Sequence, residues 1–351
     1  MAVGGIVLLT GATGHVGFAT LKALLQHGYT VHAAVRSDSK AAVVRSTLPQ
    51  GLAEDRLDFI TIPDFLQDGA FDEAMKGVKY VVHVASPLPS NASEGDDLDE
   101  VLVKPAVQAT LGVFESAQKT ATVQRIVVTS SNAATVPLSV LMGQDDGQIY
   151  GPDYRSDYLE APYMNVAMVG YVASKIAALR RAEEWVATRK PAFDVVHIHP
   201  SFVEGRNDLT TTTRDFKSGT NAFVLDPVLG WKTDNAKAPS VVHVDDVALA
   251  HVCALDPKIE GNQSFLLASS GQDGMQWDDA KTYAKKHFPD AVAKGLLPNN
   301  GSAPTSGGGM ADNSKTQKVL GIKLQGYEDM VVSVVGHYLE VLEAEKGIVA
   351  T

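Results

Sequence analysis

The 351-residue chain holds one cysteine, Cys253, so no disulfide can form within it. That suits a reducing compartment and removes a disulfide-stapled scaffold from consideration. A basic surplus is also missing: 30 Lys and Arg stand against 41 Asp and Glu, a formal net charge of −11. With nothing to displace counterions, nucleic acid and anionic membrane surfaces are not expected as partners. Long apolar runs are absent as well. The opening "MAVGGIVLLTGATG" has no basic n-region and only "IVLL" before a glycine turn, so it reads as a first strand rather than a signal peptide. No stretch reaches transmembrane length. The expectation is a cytoplasmic protein.

What is present alternates. Apolar, β-rich runs recur at 5–10, 29–35, 57–62, 79–85, 124–130 and 193–199, and most are nearly continuous in apolar residues. Strands covered on both faces read this way. Helical patterns lie between them, at 15–27, 38–48, 97–119 and 167–189. Strand alternating with helix predicts right-handed crossovers and an α/β, Rossmann-like, doubly wound parallel sheet.

After Pro200 the rhythm changes. Residues 204–240 read as loops with short elements, 240–255 as strand then helix, and 263–269 as a strand. Further helices are expected near 276–287, 312–320 and 327–345. This predicts a dinucleotide-binding domain over 1–200 and a smaller C-terminal substrate-binding lobe over 201–351, with 240–269 returning to the sheet. "NNGSAPTSGGG" (299–309) reads as an exposed mobile loop. The acidic run 94–100 opens the helix after it, and no metal is expected there.

"LLTGATGHVGFATLKALL" sets Gly11, Gly14 and Gly17 between a strand and a helix. Gly11 permits a sharp turn, Gly14 lets backbone N–H groups approach a pyrophosphate, and Gly17 allows close packing of helix on strand. Thr13, His15 and Val16 complete this cofactor-binding turn. At the end of the second strand a dinucleotide site commonly carries an acid for the ribose 2′-hydroxyl. Here Arg36 stands at that end. Arginine suits a 2′-phosphate, with Ser37 and Lys40 as further donors, so NADP(H) is expected as the cofactor. The competing reading leaves Arg36 in solvent and turns Asp38 back to the hydroxyl.

"GYVASKIAAL" places Tyr171 and Lys175 four apart, on one helix face. An ammonium close to a phenol favours the phenolate, and an oxidised nicotinamide adds positive charge. Tyr171 is thereby a candidate general acid for carbonyl reduction and base for the reverse. "VVTSSNAATV" brings Ser130 and Ser131 to the C-terminal end of the fifth strand, where one of them can hydrogen-bond a substrate oxygen.

The order of "TGATGHVG", "VVHVASP", "VVTSSNAATV", "YVASK", "HPSFVEG" and "VVHVDDVA" resembles the extended short-chain dehydrogenase/reductases over essentially the whole chain. Within them it is most similar to the plant dihydroflavonol and cinnamoyl-CoA reductases and the fungal NADPH-dependent aldehyde and ketone reductases. The resemblance implies a catalytic serine at Ser131, a tyrosine at Tyr171 and a lysine at Lys175 that also holds the nicotinamide ribose. It implies that the Ser130 side chain faces elsewhere. Asp64 and Phe65 would flank the adenine. Val84, Ala85 and Ser86 would lie beside ribose and phosphates, and Pro200 and Val203 against the nicotinamide. His83 and His199 are read as satisfied interior histidines. His243 is read as structural, with Asp245 capping the next helix.

Where the plant flavonoid enzymes have an asparagine after the serine, this chain offers Thr135 or Val136, so a flavonoid substrate is not expected. Ser86, Ser131, Thr135 and Tyr171 are the expected substrate contacts, with 139–164 and 205–216 as substrate-side segments. The leading expectation is an NADPH-dependent reductase of an apolar, small-molecule aldehyde or ketone, acting as a monomer or homodimer. A nucleotide-sugar epimerase or dehydratase and a non-catalytic NADP-binding scaffold are the alternatives.

Overall fold

In the computed structural model, which describes residues 4–53, 55–269, 275–307 and 311–349, the apolar runs are strands. They are β1 (Ile6–Thr10), β2 (Thr30–Val35), β3 (Leu57–Thr61), β4 (Val78–His83), β5 (Arg125–Thr129) and β6 (Asp194–Pro200). The strands β7 (Phe202–Glu204), β8 (Val241–His243) and β9 (Gln263–Leu267) follow. One parallel sheet runs in the order β3-β2-β1-β4-β5-β6-β9, and β7 and β8 pair separately. The winding reverses between β1 and β4, which opens a crevice at the carboxyl ends of the strands.

The helices are α1 (His15–Gln26), α2 (Asp38–Thr47), α3 (Lys104–Gln118), α4 (Leu138–Leu141), α5 (Ala167–Arg189), α6 (Asn221–Val228), α7 (Val244–Cys253), α8 (Asp279–His287), α9 (Pro289–Ala293), α10 (Ser314–Leu320) and α11 (Tyr327–Val349). The helix expected from 97 opens with a π-helical turn, Asp99–Val103, before α3 begins.

Successive strand residues point to opposite faces. Val7, Leu9, Val127 and Val196 pack with Phe18 and Leu21 of α1 and Val247 and Ala250 of α7. Leu8, Val81, Ile126 and Val195 turn the other way, onto Val113 and Phe114 of α3 and Ala182 and Trp185 of α5. Both faces are dry, which explains the unbroken apolar runs. A second core holds Phe216, Leu225, Trp277, Met330 and Val334. Within 240–269, β9 joins the large sheet while β8 lies outside it, beside β7.

The segment read as an exposed mobile loop is corrected over its described part, 299–307. Asn299 N donates to Val228 O, Gly301 N to Pro227 O, Ser302 N to Trp231 O and Ser306 N to Lys237 O. Gly301 is buried, and a β-carbon there would collide with the Asp226 and Trp231 carbonyls. Small residues were needed for backbone approach, not for mobility. Gly308 and Gly309 lie outside the described residues.

At the amino end of the sheet, buried Arg125 spans three connections. Its Nη2 donates to Asp194 Oδ2 at 2.9 Å and to Ile259 O at 2.7 Å, and its Nη1 donates to the carbonyls of Ala254 and Asp256.

Candidate active site

The β1–α1 turn is built on backbone proximity. Gly11 has φ +83°, and a β-carbon there would sit 2.8 Å from Ala85 N. A β-carbon on Gly17 would overlap Gly11 O. These two positions admit only glycine. Gly14 N donates to Gly11 O at 3.0 Å, and Gly14 heads α1 with no side-chain cap. The α1 N–H groups therefore face the crevice beside exposed Thr13 and half-buried His15 and Val16. That fits a bound diphosphate. Thr10 Oγ1 accepts from Val84 N (3.2 Å) and Ala85 N (3.1 Å) and pairs with His83 Nδ1 at 2.9 Å, which ties the β1 and β4 exits together. His15 Nε2 lies 3.3 Å from Arg206 O, and burial lowers the imidazole to about 4, so it is neutral.

Arg36 is exposed where β2 ends. Ser37 caps α2, accepting from Lys40 N at 3.4 Å, and its hydroxyl lies 2.9 Å from Ser39 Oγ. Lys40 is exposed in the first turn of that helix. Asp38, the competing 2′-hydroxyl partner, already accepts from Thr61 Oγ1 at 2.7 Å. Asp64 closes a short turn by accepting from Leu66 N, and the Phe65 ring packs on Phe71 at 5.2 Å. Val84, Ala85 and Ser86 are half-buried beyond β4. Pro200 is buried at the end of β6, and Val203 is half-buried in β7.

Ser131 leaves β5 as the cap of a one-turn 3-10 helix, Asn132–Ala134. Its Oγ accepts from Ala133 N at 3.2 Å and donates to Asn132 Oδ1 at 3.4 Å. The same hydroxyl faces Tyr171. α5 presents Tyr171 and, one turn on, Lys175. The Lys175 Nζ stands 5.7 Å from the Tyr171 ring centroid and donates to Thr129 O at 3.4 Å. Burial lowers the Lys175 ammonium to about 8. Burial also pushes the Tyr171 phenol above its ordinary 10, and Ser131 offsets this only in part. The expected acidification of Tyr171 by Lys175 is therefore not met in the protein alone. Desolvation outweighs a cation that makes no hydrogen bond to the phenol.

Three other readings change. Thr135 is fully buried, and its hydroxyl donates back to Asn132 O at 3.3 Å, because the 3-10 turn pulls it inward. It offers a ligand nothing. His243, not Asp245, caps α7: His243 Nδ1 accepts from Asp245 N at 3.1 Å. His199 is interior, but neither ring nitrogen has a partner among the described residues, so "satisfied" does not describe it.

Two features escaped sequence reading. Segment 205–216 is a clamp as well as a loop: Lys22 of α1 pairs with Asp208, Asp208 with Arg206, and Arg206 with Glu340 of α11. Glu204 is wholly buried, and neither carboxyl oxygen has a partner among the described residues. The acid inside the apolar "SFVEG" was the available signal.

A doubly wound sheet with its glycine turn at the switch point, and a Ser–Tyr–Lys group two strands away across β4, defines a dinucleotide-dependent enzyme class. Residues 7–268 match the NAD dependent epimerase/dehydratase family. The chain belongs to that family and, within it, to the extended short-chain dehydrogenase/reductases. It is 42% identical to Ketoreductase CTB6 of Cercospora beticola, over 98% of this chain and 97% of that one. It is 36% identical to the NAD-dependent epimerase/dehydratase ALT6 of Alternaria alternata, over 93% and 96%. The fold matches yeast methylglyoxal/isovaleraldehyde reductase Gre2, solved with NADPH, with a TM-score of 0.76 at 22% identity over 96% and 99%. No helix among the described residues is long and apolar enough to cross a membrane.

Proposed function

We propose that the protein is an NADP(H)-dependent reductase of apolar aldehydes or ketones, with Tyr171 as proton donor. The observation that carries this reading is the placement of Ser131, Tyr171 and Lys175 together beyond the carboxyl end of β5, with only β4 between that strand and the one that leads into the β1–α1 glycine turn. The name of the ketoreductase relative supports the reaction type.

When bound, the nicotinamide supplies hydride to the carbonyl carbon. Ser131 Oγ hydrogen-bonds the carbonyl oxygen and polarises it, and Tyr171 Oη passes its proton to that oxygen as the carbon–oxygen double bond becomes a single bond. A phenol whose pKa burial raises stays protonated at neutral pH, which suits an acid rather than a base. Lys175 holds the ribose of the cofactor and supplies positive charge as the phenolate develops. Acid catalysis of this kind contributes roughly 10²–10⁴-fold. Gly11, Gly14 and Gly17 hold the diphosphate, and Arg36 with Lys40 holds the 2′-phosphate.

Apolar surroundings support the substrate class. Tyr171 packs on a cluster containing Ala133, Ala134 and Ile176, which Leu138, Leu141 and Leu159 also cover. Met164 and Met168, just ahead of Tyr171, are exposed, as is Leu88 beyond Ser86. We read 1–200 as the dinucleotide half and 201–351 as mainly the substrate half of a cytoplasmic monomer or homodimer.

Purified protein mixed with NADPH and a panel of simple ketones and aldehydes tests the reading by loss of absorbance at the reduced nicotinamide band. Turnover that Tyr171→Phe abolishes supports it. Turnover unchanged in Tyr171→Phe, or tightly copurifying NAD with no net cofactor consumption, overturns it.

A further inference from the structure

Segment 205–216 leaves the end of β7 at buried Gly205 and rejoins the second core at Phe216. Among the described residues between them, Leu209 alone packs on a hydrophobic core, and it is only half-buried. Backbone bonds inside the stretch close locally, Thr210 N to Asn207 O and Asp215 N to Thr212 O. Its ties to the rest of the protein are polar, and three run to α11. Arg206 N donates to Ser333 Oγ at 2.9 Å, and Arg206 Nη1 donates to Glu340 Oε2 at 2.6 Å. Thr213 donates through its N and Oγ1 to the two oxygens of Glu345, at 2.9 and 2.8 Å.

Among the described residues two polar ties reach α1. Lys22 Nζ donates to Asp208 Oδ2 at 2.5 Å, and His15 Nε2 lies 3.3 Å from Arg206 O. His15 is the first residue of α1, so the Arg206 backbone lies against the helix end where a diphosphate fits. Asp208 Oδ1 also accepts from Arg206 Nε at 2.5 Å. The charges therefore alternate from α1 to α11: Lys22, Asp208, Arg206, Glu340. The inner pair is the sheltered one, with side chains 23% and 19% exposed, against 44% and 61% for Arg206 and Glu340. Burial would raise the Asp208 carboxyl, but Lys22 and Arg206 together hold it below its ordinary 3.8.

We propose that Lys22, Asp208, Arg206 and Glu340 form an ionic latch that holds segment 205–216 against the diphosphate end of the cofactor site, and that its opening sets the rate at which NADP(H) leaves. The four are positioning residues, acting on the cofactor through the Arg206 backbone. Apolar packing would hold the segment shut, whereas partly exposed ion pairs are individually weak and salt-screened, so a chain of them opens reversibly. Asp208 is its centre. Without that carboxylate two cations face one another, whereas loss of Glu340 frees only the outer, solvated end.

The inference rests on the NADP(H) reading, and its tests need no carbonyl substrate. Protein loaded with NADPH is mixed with excess NADP⁺, and release is followed by nicotinamide fluorescence. Asp208→Asn and Lys22→Met should each speed release roughly 3- to 10-fold, and Glu340→Gln less than about twofold. Lys22→Arg, which keeps the charge, should stay within about twofold of wild type. Release from wild type should quicken between about 0.05 and 0.5 M KCl, and release from Asp208→Asn should be nearly flat over that range. In the protein without cofactor, amides of 206–213 should exchange hydrogen faster in Asp208→Asn than in wild type. Unchanged release in both Asp208→Asn and Lys22→Met, or unchanged exchange, overturns the latch. Equal acceleration in all four variants, Lys22→Arg included, marks a merely structural role and overturns it too. If wild type binds NADPH yet reduces no carbonyl compound, the function reading fails while the release rates still decide the latch.

Discussion

Lys175 and Tyr171 share one face of α5, yet the ammonium donates to the Thr129 carbonyl at 3.4 Å and lies 5.7 Å from the phenol ring centroid, with no hydrogen bond to the phenol. The two groups therefore titrate apart. Burial brings Lys175 down to about 8 and pushes Tyr171 up from 10. Lysine is charged below its pKa, so most of the ammonium is present at pH 7 and it is lost as pH rises through about 8. The phenol keeps its proton throughout that range. Since kcat/KM reports groups on the free enzyme, the value for NADPH should be flat near neutrality and fall above pH 8. Lys175→Met should lower it at all pH values and remove the inflection. A wild-type profile flat to pH 10 contradicts this assignment.

The proposed preference for NADP(H) over NAD(H) rests on Arg36. Its guanidinium is exposed at the end of β2, where a bidentate contact to a 2′-phosphate is open to it, and Asp38 is held by Thr61. Charged hydrogen bonds contribute about 1.5–3 kcal/mol. Arg36→Ala should raise the NADPH Michaelis constant by roughly 10- to 150-fold and leave that for NADH within about twofold. An unchanged NADPH constant removes Arg36 from the site.

Much of this arrangement is written locally. α5 runs from Ala167 to Arg189, the span its pattern predicts, because a 23-residue helix carries its own periodicity. The six major strands are legible for the same reason, as apolar runs between glycine, asparagine and proline punctuation. What escaped prediction depends on contacts distant in sequence. β7 is three residues long and exists by pairing with β8, which was read as a strand but lies beside β7 rather than in the large sheet. The glycines of 299–307 look like linker until the carbonyls of Asp226 and Trp231 stand beside Gly301. Ser130 and Ser131 are chemically identical neighbours, and only the strand's alternation and the 3-10 turn after it decide which meets Tyr171. The pKa directions follow from burial, which spacing along a helix does not report.

Arg125 offers a stability test remote from the chemistry, since it begins β5 while Ser131 follows that strand's end. The residue is 5% exposed, and its side chain joins Asp194 to the carbonyls of Ala254, Asp256 and Ile259. Removing one partner of a buried pair costs about 3–5 kcal/mol. Arg125→Met should lower the unfolding free energy by about that amount, measured by urea titration, with kcat near wild type at temperatures where the variant is folded. A loss below about 1 kcal/mol shows that water replaces the guanidinium at little cost.

Glu204 predicts an opposite sign. The carboxyl sits in β7 with both oxygens buried and without a partner among the described residues, near Lys237 and Tyr327, and burial raises its pKa well above 4.5 despite the lysine. The folded state thus keeps a proton that the unfolded chain releases near pH 4.5. Its contribution to stability is complete below 4.5 and is lost as pH rises toward the folded pKa. Within that window one proton corresponds to about 1.4 kcal/mol per pH unit. For a chain of this length that is roughly 2 °C of Tm per unit. Glu204→Gln cannot ionise and should lack this slope. Tm measured from pH 5 to 8 should therefore show the variant gaining on wild type as pH rises. Parallel curves would mean that Glu204 is ionised in the folded protein, paired with the Lys237 ammonium, and that the carboxyl is not the proton-holding group its surroundings describe.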